Sequence, residues 1–410
     1  MATRINVRSP FYIKASNASL ASATMELYIY TGVLTTDKPA SAQYTVTKNE
    51  LGTNNYVVFE LSELVRDYLD IEFNNDYVSH TVWVEADITM YDAADGGGSS
   101  VATSNTDYIA FDGYTYFEEG VQSADSPLDT VGALISNRTI FRLDDSNVSI
   151  PVYTNDTNSV AFYYQGALKR TETISTSTNT NGQIEYISVA GENTDDSENV
   201  NAATYKERVL EDGGVFEDSI CLQNFLNTID IGLVDEVWVN YDTGTTFTGA
   251  SNTSTEDTKT DIIKVKTVDC SRYTPIKVTF VNKYGALQDL WFRLKSTETT
   301  DVRGESYKRS VFSEATLSYK TYQHQKQSFQ VNGSDRITMN TGYLNDDHNA
   351  VMEELMLSEQ VWMTKLTDEE LVLPIMPRTK SITYKTSLND RLANYSVEFD
   401  MAFDKINNIR

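Results

Sequence analysis

The side chains best suited to metal binding or general-base catalysis are three histidines, His80, His324 and His348. His348 lies in the stretch DDHNAVMEE, which superficially resembles the zinc-binding helix of metalloproteases. That helix needs a second histidine four residues after the first, and here the position is Met352. His80 and His324 have no partner motif, and neither the nucleophile elbow G-x-S-x-G nor the phosphate loop G-x-x-x-x-G-K occurs. The sequence therefore predicts no catalytic, cofactor-binding or metal-binding residues and a protein that is not an enzyme.

Adjacent carboxylates could serve as the acid and base of a glycosidase. Such an enzyme holds its two carboxyl groups about 5 to 9 Å apart across a cleft, a geometry that spacing along the chain does not define. With 59 acidic residues in 410, adjacent pairs also arise by chance. A polysaccharide-degrading enzyme and calcium binding by an Asp-rich loop stay open as alternatives, although the EF-hand pattern is absent. The pairs are Asp144 with Asp145, Asp195 with Asp196, and Glu353 with Glu354.

Trp291 and Phe292 are neighbours in the run LQDLWF, where they could form an aromatic platform for a sugar. Successive side chains of a strand point to opposite faces, so at most one of the two can face a given surface. Aromatic residues are also enriched at subunit contacts. The pattern therefore favours a core contact on one side and an interface on the other.

Composition and charge narrow the class of protein. A chain of 410 residues predicts about two to four domains. The formal net charge of −26 would repel a polyphosphate backbone, which argues against nucleic acid as a partner. Cys221 and Cys270 are too few for a disulfide framework, which fits synthesis in a reducing cytosol. The start MATRINVRSPFYIKASN has no apolar segment of a secretory signal, and no run of about 18 apolar residues predicts membrane insertion.

Residues 1–120 are predicted to form a β-sandwich domain. The stretch MELYIY alternates Met25, Leu27 and Ile29 with more polar neighbours, the period of a half-buried strand. YVVFEL and HTVWVEADITMY continue the pattern. The exception is LSELVRDYLD, where Ser62 can cap a short helix. One face of that helix would carry Leu61, Leu64, Val65, Tyr68 and Leu69.

Residues 121–270 are predicted to form a second β-rich domain, with a boundary near Gly120. RTIFRL, SIPVY, VAFYYQG, DEVWVNY and IIKVKTV read as strands. Long loops rich in Ser, Thr, Asn and Asp separate them, and these loops are either mobile surface or contacts to partners. A short helix ending at Gly213 is also predicted in ATYKERVLEDGG.

Residues 271–410 are predicted to form a C-terminal β-sheet domain with one packed helix near 346–359. IKVTFVN and LQDLWFRLK are two strands joined across KYGA, where Gly285 can take the positive φ of a tight hairpin. The helix would use Asn345 or Asp346 as its cap, with acidic residues in its first turn. Its apolar stripe would be Val351, Met352, Leu355 and Met356.

Two further strands, SITYKT and YSVEFDMAF, are predicted to close the chain. In the second, every other residue is apolar, which predicts a C-terminus locked into a sheet. The inward-facing residues would be Tyr395, Val397, Phe399, Met401 and Phe403.

These segments carry a family likeness. The runs YTPIKVTFVNKYGALQDLWF and NTGYLNDDHNAVMEELMLSEQVWM, with the ending LPIMPRTKSITYKTSLNDRLANYSVEFDMAF, resemble virion structural proteins of tailed bacteriophages. RSPFYIKA, LYIYTG and VFELSELVRDYL are similar to the first domain of the same proteins, often described as fibronectin type III-like. The resemblance is strongest over about the last 140 residues, carries no functional residues, and leaves tail, baseplate and neck open.

The expected architecture is therefore mainly β, with multi-domain β-sandwiches and a C-terminal β domain that carries one α-helix. The expected function is that of a non-enzymatic virion subunit of the tail or baseplate, made in the host cytoplasm. It would work by homo-oligomerisation and by docking other phage virion proteins. The alternative is a receptor- or carbohydrate-binding adhesin module at a tail tip. Exposed aromatic residues along one groove would favour the adhesin, and a large interface with other virion chains would favour the subunit.

Overall fold

The computed structural model describes residues 3–52, 54–128, 131–143, 148–154, 159–164, 166–174, 184–189, 234–241, 260–268, 273–365, 371–383 and 393–406. Within these ranges the chain forms 22 β-strands and two α-helices. The mainly β fold class is confirmed, with several sheets and one packed helix in the C-terminal region. The predicted helix ending at Gly213, both cysteines, and the pairs at 144–145 and 195–196 lie outside the described residues.

The N-terminal region is a sandwich of two sheets. A five-stranded sheet has the order β1-β7-β6-β3-β4, and a three-stranded sheet has the order β5-β2-β8. Alternation places Met25, Leu27 and Ile29 in the core between them, as the sequence predicts. The elements are β1 Thr3–Asn6, β2 Phe11–Ser16, β3 Ser22–Tyr30, β4 Tyr44–Asn49, β5 Tyr56–Glu60, α1 Ser62–Arg66, β6 Val82–Tyr91, β7 Ser100–Phe111 and β8 Gln122–Ser123.

The crossover helix α1 is shorter than predicted, and its capping prediction is wrong. Leu61 is the N-cap, and no side chain caps the helix. The Ser62 hydroxyl instead donates to the backbone oxygen of Ser9, 2.7 Å away, and so ties the helix to the segment before β2. Leu61 and Val65 are buried as expected, whereas Tyr68 is 39% exposed.

The middle region also packs two sheets face to face. A two-stranded sheet pairs β10 with β13, and a five-stranded sheet has the order β12-β11-β14-β15-β9. Ile150 and Ile187 from the first sheet share a core with Phe162, Val237 and Ile263 from the second. The strands are β9 Thr139–Leu143, β10 Val148–Tyr153, β11 Ser159–Tyr164, β12 Ala167–Thr173, β13 Ile184–Val189, β14 Glu236–Asn240 and β15 Thr260–Val268.

The C-terminal region is one seven-stranded sheet of order β17-β16-β20-β21-β22-β19-β18, with helix α2 packed on it. All neighbouring strands run antiparallel. Its last strand, β22, lies in the interior of the sheet between β21 and β19. The elements are β16 Ile276–Val281, β17 Leu287–Phe292, β18 Thr297–Lys308, β19 Lys326–Leu344, α2 His348–Leu357, β20 Val361–Lys365, β21 Leu371–Pro377 and β22 Ala393–Met401.

Helix α2 confirms the predicted stripe but not the predicted cap. Val351, Met352 and Leu355 are buried, and Met356 packs against the same core. Asp347 is the N-cap without a side-chain capping hydrogen bond, and the first turn contains no acidic residue. The acidic residues of LNDDHN therefore precede the helix.

The C-terminal strand is buried as predicted, except at its end. Tyr395, Val397, Phe399 and Met401 belong to the core, but Phe403 lies beyond the strand and is 43% exposed. Met401 pairs with Ile375, and the Ala402 backbone N–H still donates to the Pro374 oxygen at 3.0 Å, but the chain bends at residues 402–403 and Phe403 leaves the sheet. The predicted strand SITYKT is also wrong over residues 381–383, which form no strand, and its remainder lies outside the described residues.

The predicted division at residues 120 and 270 stays a prediction. The sheets do follow the order of the three proposed regions along the chain, which we call the N-terminal, middle and C-terminal regions. Strand β8, directly after Gly120, still pairs with β2 of the N-terminal sandwich.

Candidate functional site

The histidines do not come together as a catalytic group. His348 begins α2, is buried, and places Nδ1 2.9 Å from Asp347 Oδ1, while its ring packs on Phe141. His80 lies before β6 with Nδ1 3.0 Å from the oxygen of Asp70, and burial lowers its pKa. His324 is exposed in the loop between β18 and β19. Among the described residues, no group of three His, Cys, Asp or Glu side chains could hold a metal ion.

One predicted carboxylate pair, Glu353 with Glu354, falls within the described residues. Glu354 forms hydrogen bonds that join separate parts of the fold. Glu354 is buried. Its carboxylate accepts one hydrogen bond from the Ser136 hydroxyl and another, at 3.4 Å, from the backbone N–H of Lys283. Burial raises the pKa of Glu354, and the two hydrogen bonds oppose that rise. Glu354 thus links α2 to the middle region and to the β16–β17 turn.

That turn, residues 282–286, is the bend of the hairpin between β16 and β17. Gly285 has φ +77°, as the sequence predicts. The Asn282 side chain holds the bend by accepting hydrogen bonds from the backbone N–H groups of Tyr284 and Ala286, at 3.0 and 3.1 Å. The same side chain donates to the backbone oxygen of Leu134, 2.7 Å away in the middle region.

The bend also presses against the N-terminal region. A Cβ atom on Gly285 would lie 2.7 Å from the backbone nitrogen of Gly113 and 2.8 Å from that of Asp112. The backbone N–H of Tyr114 donates to the Lys283 oxygen at 2.9 Å, and Lys283 also pairs with Glu119. The turn is therefore a point where all three regions meet within one chain.

Two apolar clusters complete this three-way junction. Both combine side chains from all three regions, with Tyr186 of the middle region packing on the second. The clusters contain Tyr30, Trp83, Ile109, Phe111, Leu134, Tyr153, Ile184 and Ala286, and Ile71, Phe73, Val281 and Leu287.

Trp291 and Phe292 point to opposite sides of their strand, as alternation predicts. Phe292 stacks edge-on against Phe399 in the C-terminal core, and Trp291 borders a small cavity with Ile140 and Phe141 of the middle region. Both are buried, so the interface expected beside them is internal to the chain.

A polar cleft of about 450 Å³ opens beside the junction. Gln122, almost fully buried at its wall, accepts from the backbone N–H of Asn6 at 3.1 Å and donates to the Thr115 hydroxyl at 3.2 Å. Lys283, which also lines the cleft, is paired with Glu119. These polar groups are thus used in joining segments of this chain.

The most exposed element in the described part of the chain is a hairpin arm, residues 302–331, formed by the outer parts of β18 and β19 and the loop between them. Strand β19 pairs with β22 only from Arg336 to Leu344, so the arm is a two-stranded ribbon beyond the sheet. Of its 30 residues, 28 are exposed and none is buried. Isolated two-stranded ribbons are marginally stable in water.

The arm carries large apolar side chains into solvent. Leu317, Tyr319 and Tyr322 are 79%, 65% and 74% exposed around its tip. Large apolar patches on the surface of soluble proteins often mark interaction sites. The remaining exposed apolar side chains are Val302, Tyr307, Phe312, Phe329 and Val331.

A bulge sets the direction of the arm at its base. The register shifts between Arg303 and Glu305, so that Gly304 faces the extra residues Gln330 and Val331. Gln330 has φ +50°, a left-handed conformation that a non-glycine residue adopts at a cost. Bulges bend a strand and increase its twist. The base is braced from the C-terminal segment, where the Lys405 backbone N–H donates to the Gly333 oxygen at 2.7 Å.

Sequence reasoning missed the arm because TETTDVRGESYK lacks the apolar alternation of a strand. The charge distribution gives the available signal. Residues 302–331 contain five basic and two acidic residues, a formal charge of +3 in a chain of −26. They are Arg303, Lys308, Arg309, Lys320 and Lys326, with Glu305 and Glu314.

This sequence matches no protein-family model and no curated protein. Neither helix in the described part of the chain is long and apolar enough to cross a membrane.

Proposed function

We propose that this chain is a non-enzymatic structural subunit of a tailed-phage virion, of the tail or baseplate. It acts by oligomerisation and by docking neighbouring virion proteins through the hairpin arm. The observation that carries the proposal is the arm, a two-stranded ribbon with eight large apolar side chains in solvent. Such a ribbon is stabilised when a partner covers those side chains. The sequence resemblance to virion structural proteins supplies the biological setting.

The three-way junction supports the same proposal. Hydrogen bonds and apolar clusters join the N-terminal, middle and C-terminal regions through the turn at 282–286. A particle subunit needs fixed geometry between its domains so that contacts repeat from copy to copy. In this chain, joined regions would supply that geometry and the arm would supply the contact.

The direct test is location in particles. Antibodies raised against the purified protein should label purified particles of the virus that encodes it, at the tail or baseplate in electron micrographs. Absence of the chain from such particles, by labelling and by mass spectrometry, would overturn the proposal.

The non-enzymatic part has its own test. We expect purified protein to release no products from bacterial surface polysaccharide or peptidoglycan. Turnover that disappears when one of the three acidic pairs is changed to Asn or Gln, namely Asp144 with Asp145, Asp195 with Asp196, or Glu353 with Glu354, would contradict this part. Turnover that is unchanged in all three variants would point to a contaminating enzyme.

A receptor- or carbohydrate-binding adhesin is the second candidate. The exposed tyrosines of the arm favour it, since aromatic rings can stack on sugars. The polar cleft and the small cavity at Trp291 do not, because neither is lined by Tyr319 or Tyr322. Saturable binding of a host polysaccharide that is lost with Tyr319→Ala and Tyr322→Ala would favour the adhesin.

A further inference from the structure

We propose that the arm docks onto the acidic N-terminal region of a second copy of this chain, at the segment formed by residues 60–76. This inference rests on the proposed function, because it names the partner and the surface through which the subunit would assemble. Charge complementarity and exposed apolar side chains on both surfaces carry it.

The arm offers cations that have no carboxylate partner within the described part of the chain. None of its five basic side chains forms a salt bridge there. With a formal charge of +3 on the arm, the rest of the chain carries −29. Every other copy therefore presents an acidic body to this arm, and opposite charges steer such encounters.

The segment 60–76, which lies within the described part of the chain, carries charge opposite to that of the arm. It holds six acidic residues and one basic residue, a formal charge of −5. The basic residue, Arg66, is already paired with Glu359 at 2.6 Å. Five of the carboxylates are exposed and form no salt bridge among the described residues, namely Glu63, Asp67, Asp70, Glu72 and Asp76.

The segment also offers apolar surface beside these charges. Tyr68 is 39% exposed and Val78, two residues past the segment, is 50% exposed. The tyrosines and Leu317 of the arm could cover such side chains while the cations of the arm meet the carboxylates. An interface with an apolar centre and a charged rim is the usual arrangement for protein contacts.

The acidic segment and the arm are attached to different strands of the C-terminal sheet. The segment packs on β20 and β16, where Phe73 meets Trp362 and the Lys277 ammonium donates to Asn75 Oδ1 at 3.1 Å. The arm continues outward from β18 and β19. Within the described part of one chain, no salt bridge or ring contact joins the arm to residues 60–76. An exchange of arms between two copies would close a dimer, whereas a one-way contact would generate rings or filaments.

The test uses charge reversal in the full chain, read by sedimentation velocity over a range of concentration and salt. The arm variant is Lys308→Glu with Arg309→Glu, and the body variant is Asp70→Lys with Glu72→Lys. The combined variant carries all four changes and restores opposite charges. The matched control, Lys295→Glu with Lys380→Glu, changes net charge as the arm variant does, at two exposed lysines outside the arm.

We expect wild type to self-associate, more weakly as salt rises, because exposed charges are screened. The arm variant and the body variant should each weaken association by roughly tenfold or more. The combined variant should recover it, and the lysine control should behave as wild type. Thermal melting of each variant shows that the fold is retained.

Three results would overturn the inference. Wild type that stays monomeric at about 100 μM would exclude a second copy as the partner. Association that is unchanged in the arm variant, or lost equally in the lysine control, would exclude this pairing of surfaces. Binding of the arm to an acidic polysaccharide such as alginate, without self-association, would assign it to an adhesin instead. Antibody labelling of particles tests the proposed function independently of all three.

Discussion

The three-way junction and the hairpin arm differ in whether their polar and apolar side chains find partners within the chain. At the junction, buried polar groups such as those of Asn282 and Glu354 find partners within the chain, and apolar side chains from three regions cover each other. On the arm, apolar side chains meet solvent and cations meet no carboxylate of the described chain. This difference supports the proposal that the junction is stable within one chain and that a partner covers the arm. Changes in the body should therefore alter folding, and changes in the arm should alter assembly.

Loss of β22 should have the largest effect. Ending the chain at Asn394 removes four buried side chains from the interior of the seven-stranded sheet, Tyr395, Val397, Phe399 and Met401. Each contributes about 1.5 to 3 kcal/mol by burial, so the loss approaches the roughly 5 to 15 kcal/mol stability of a whole domain. We expect the C-terminal region to unfold, with loss of its cooperative melting transition and of solubility.

The matched control for this truncation ends at Ile406 and removes only the residues NNIR. We expect it to melt as the full chain does. If the longer truncation folds and assembles normally, β22 is not core and its position between β21 and β19 is wrong.

Gly285→Ala should have the next largest effect. The new methyl group meets the backbone of Asp112 and Gly113 at under 3 Å, and φ +77° is unfavourable for alanine. Strain and overpacking together should lower the free energy of unfolding by about 2 to 4 kcal/mol. Chemical denaturation measures this change directly.

Gly52→Ala provides the comparison for the turn. Gly52 also has positive φ, but its Cβ would have nothing within 4 Å, so only the backbone strain of about 1 kcal/mol remains. Equal losses in the two variants would mean that the turn does not press on the N-terminal region.

Ionisation of Asp112, which lies at the junction, should lower the free energy of unfolding as pH rises. Burial raises the pKa of Asp112 to about 6 from its ordinary 3.8, nearby Glu359 adds to the rise, and Arg8 and Arg66 oppose it. Because the folded pKa is the higher one, the stabilising contribution is full below about pH 4 and is lost as pH rises through 6. At pH 7 the loss amounts to at most about 3 kcal/mol.

Asp112→Asn should remove this dependence because the amide stays neutral. We expect the variant to be more stable than wild type at pH 7 and nearly equal to it at pH 4, by urea denaturation at both values. A constant difference between the two proteins across this range would show that Asp112 ionises in the folded protein as it does in the unfolded chain.

The sequence pattern predicted those parts of the fold that depend only on residues close together in the chain. The alternation in MELYIY and YSVEFDM, the glycine of the 282–286 turn and the stripe of α2 all describe one element and its buried face. The predicted cap of α1 failed because the Ser62 hydroxyl donates to the Ser9 oxygen. Asn345, one of the two predicted caps of α2, instead donates its side-chain amide to the Thr139 hydroxyl of the middle region at 3.3 Å.

The junction and the arm could not be predicted in this way. The role of Asn282 depends on Leu134, which is 148 residues away in the chain. The outer arm has no buried face, so the period that reveals a strand is missing from its sequence. In the sequence, the arm differs from the rest of the chain in its net positive charge. That charge indicates a distinct surface but does not predict a hairpin.

The central claim, that the body carries stability and the arm carries assembly, is tested most directly by removing the arm. Arg303 and Asn332 lie opposite each other in the ribbon, so replacing residues 304–331 with Asn-Gly should close a two-residue hairpin turn. Sedimentation equilibrium and urea denaturation would be run on the shortened and full-length proteins side by side. We expect the shortened protein to be monomeric, with its free energy of unfolding within about 1 kcal/mol of the full-length monomer. A shortened protein that associates as the full-length protein does, or that fails to fold, would contradict the account.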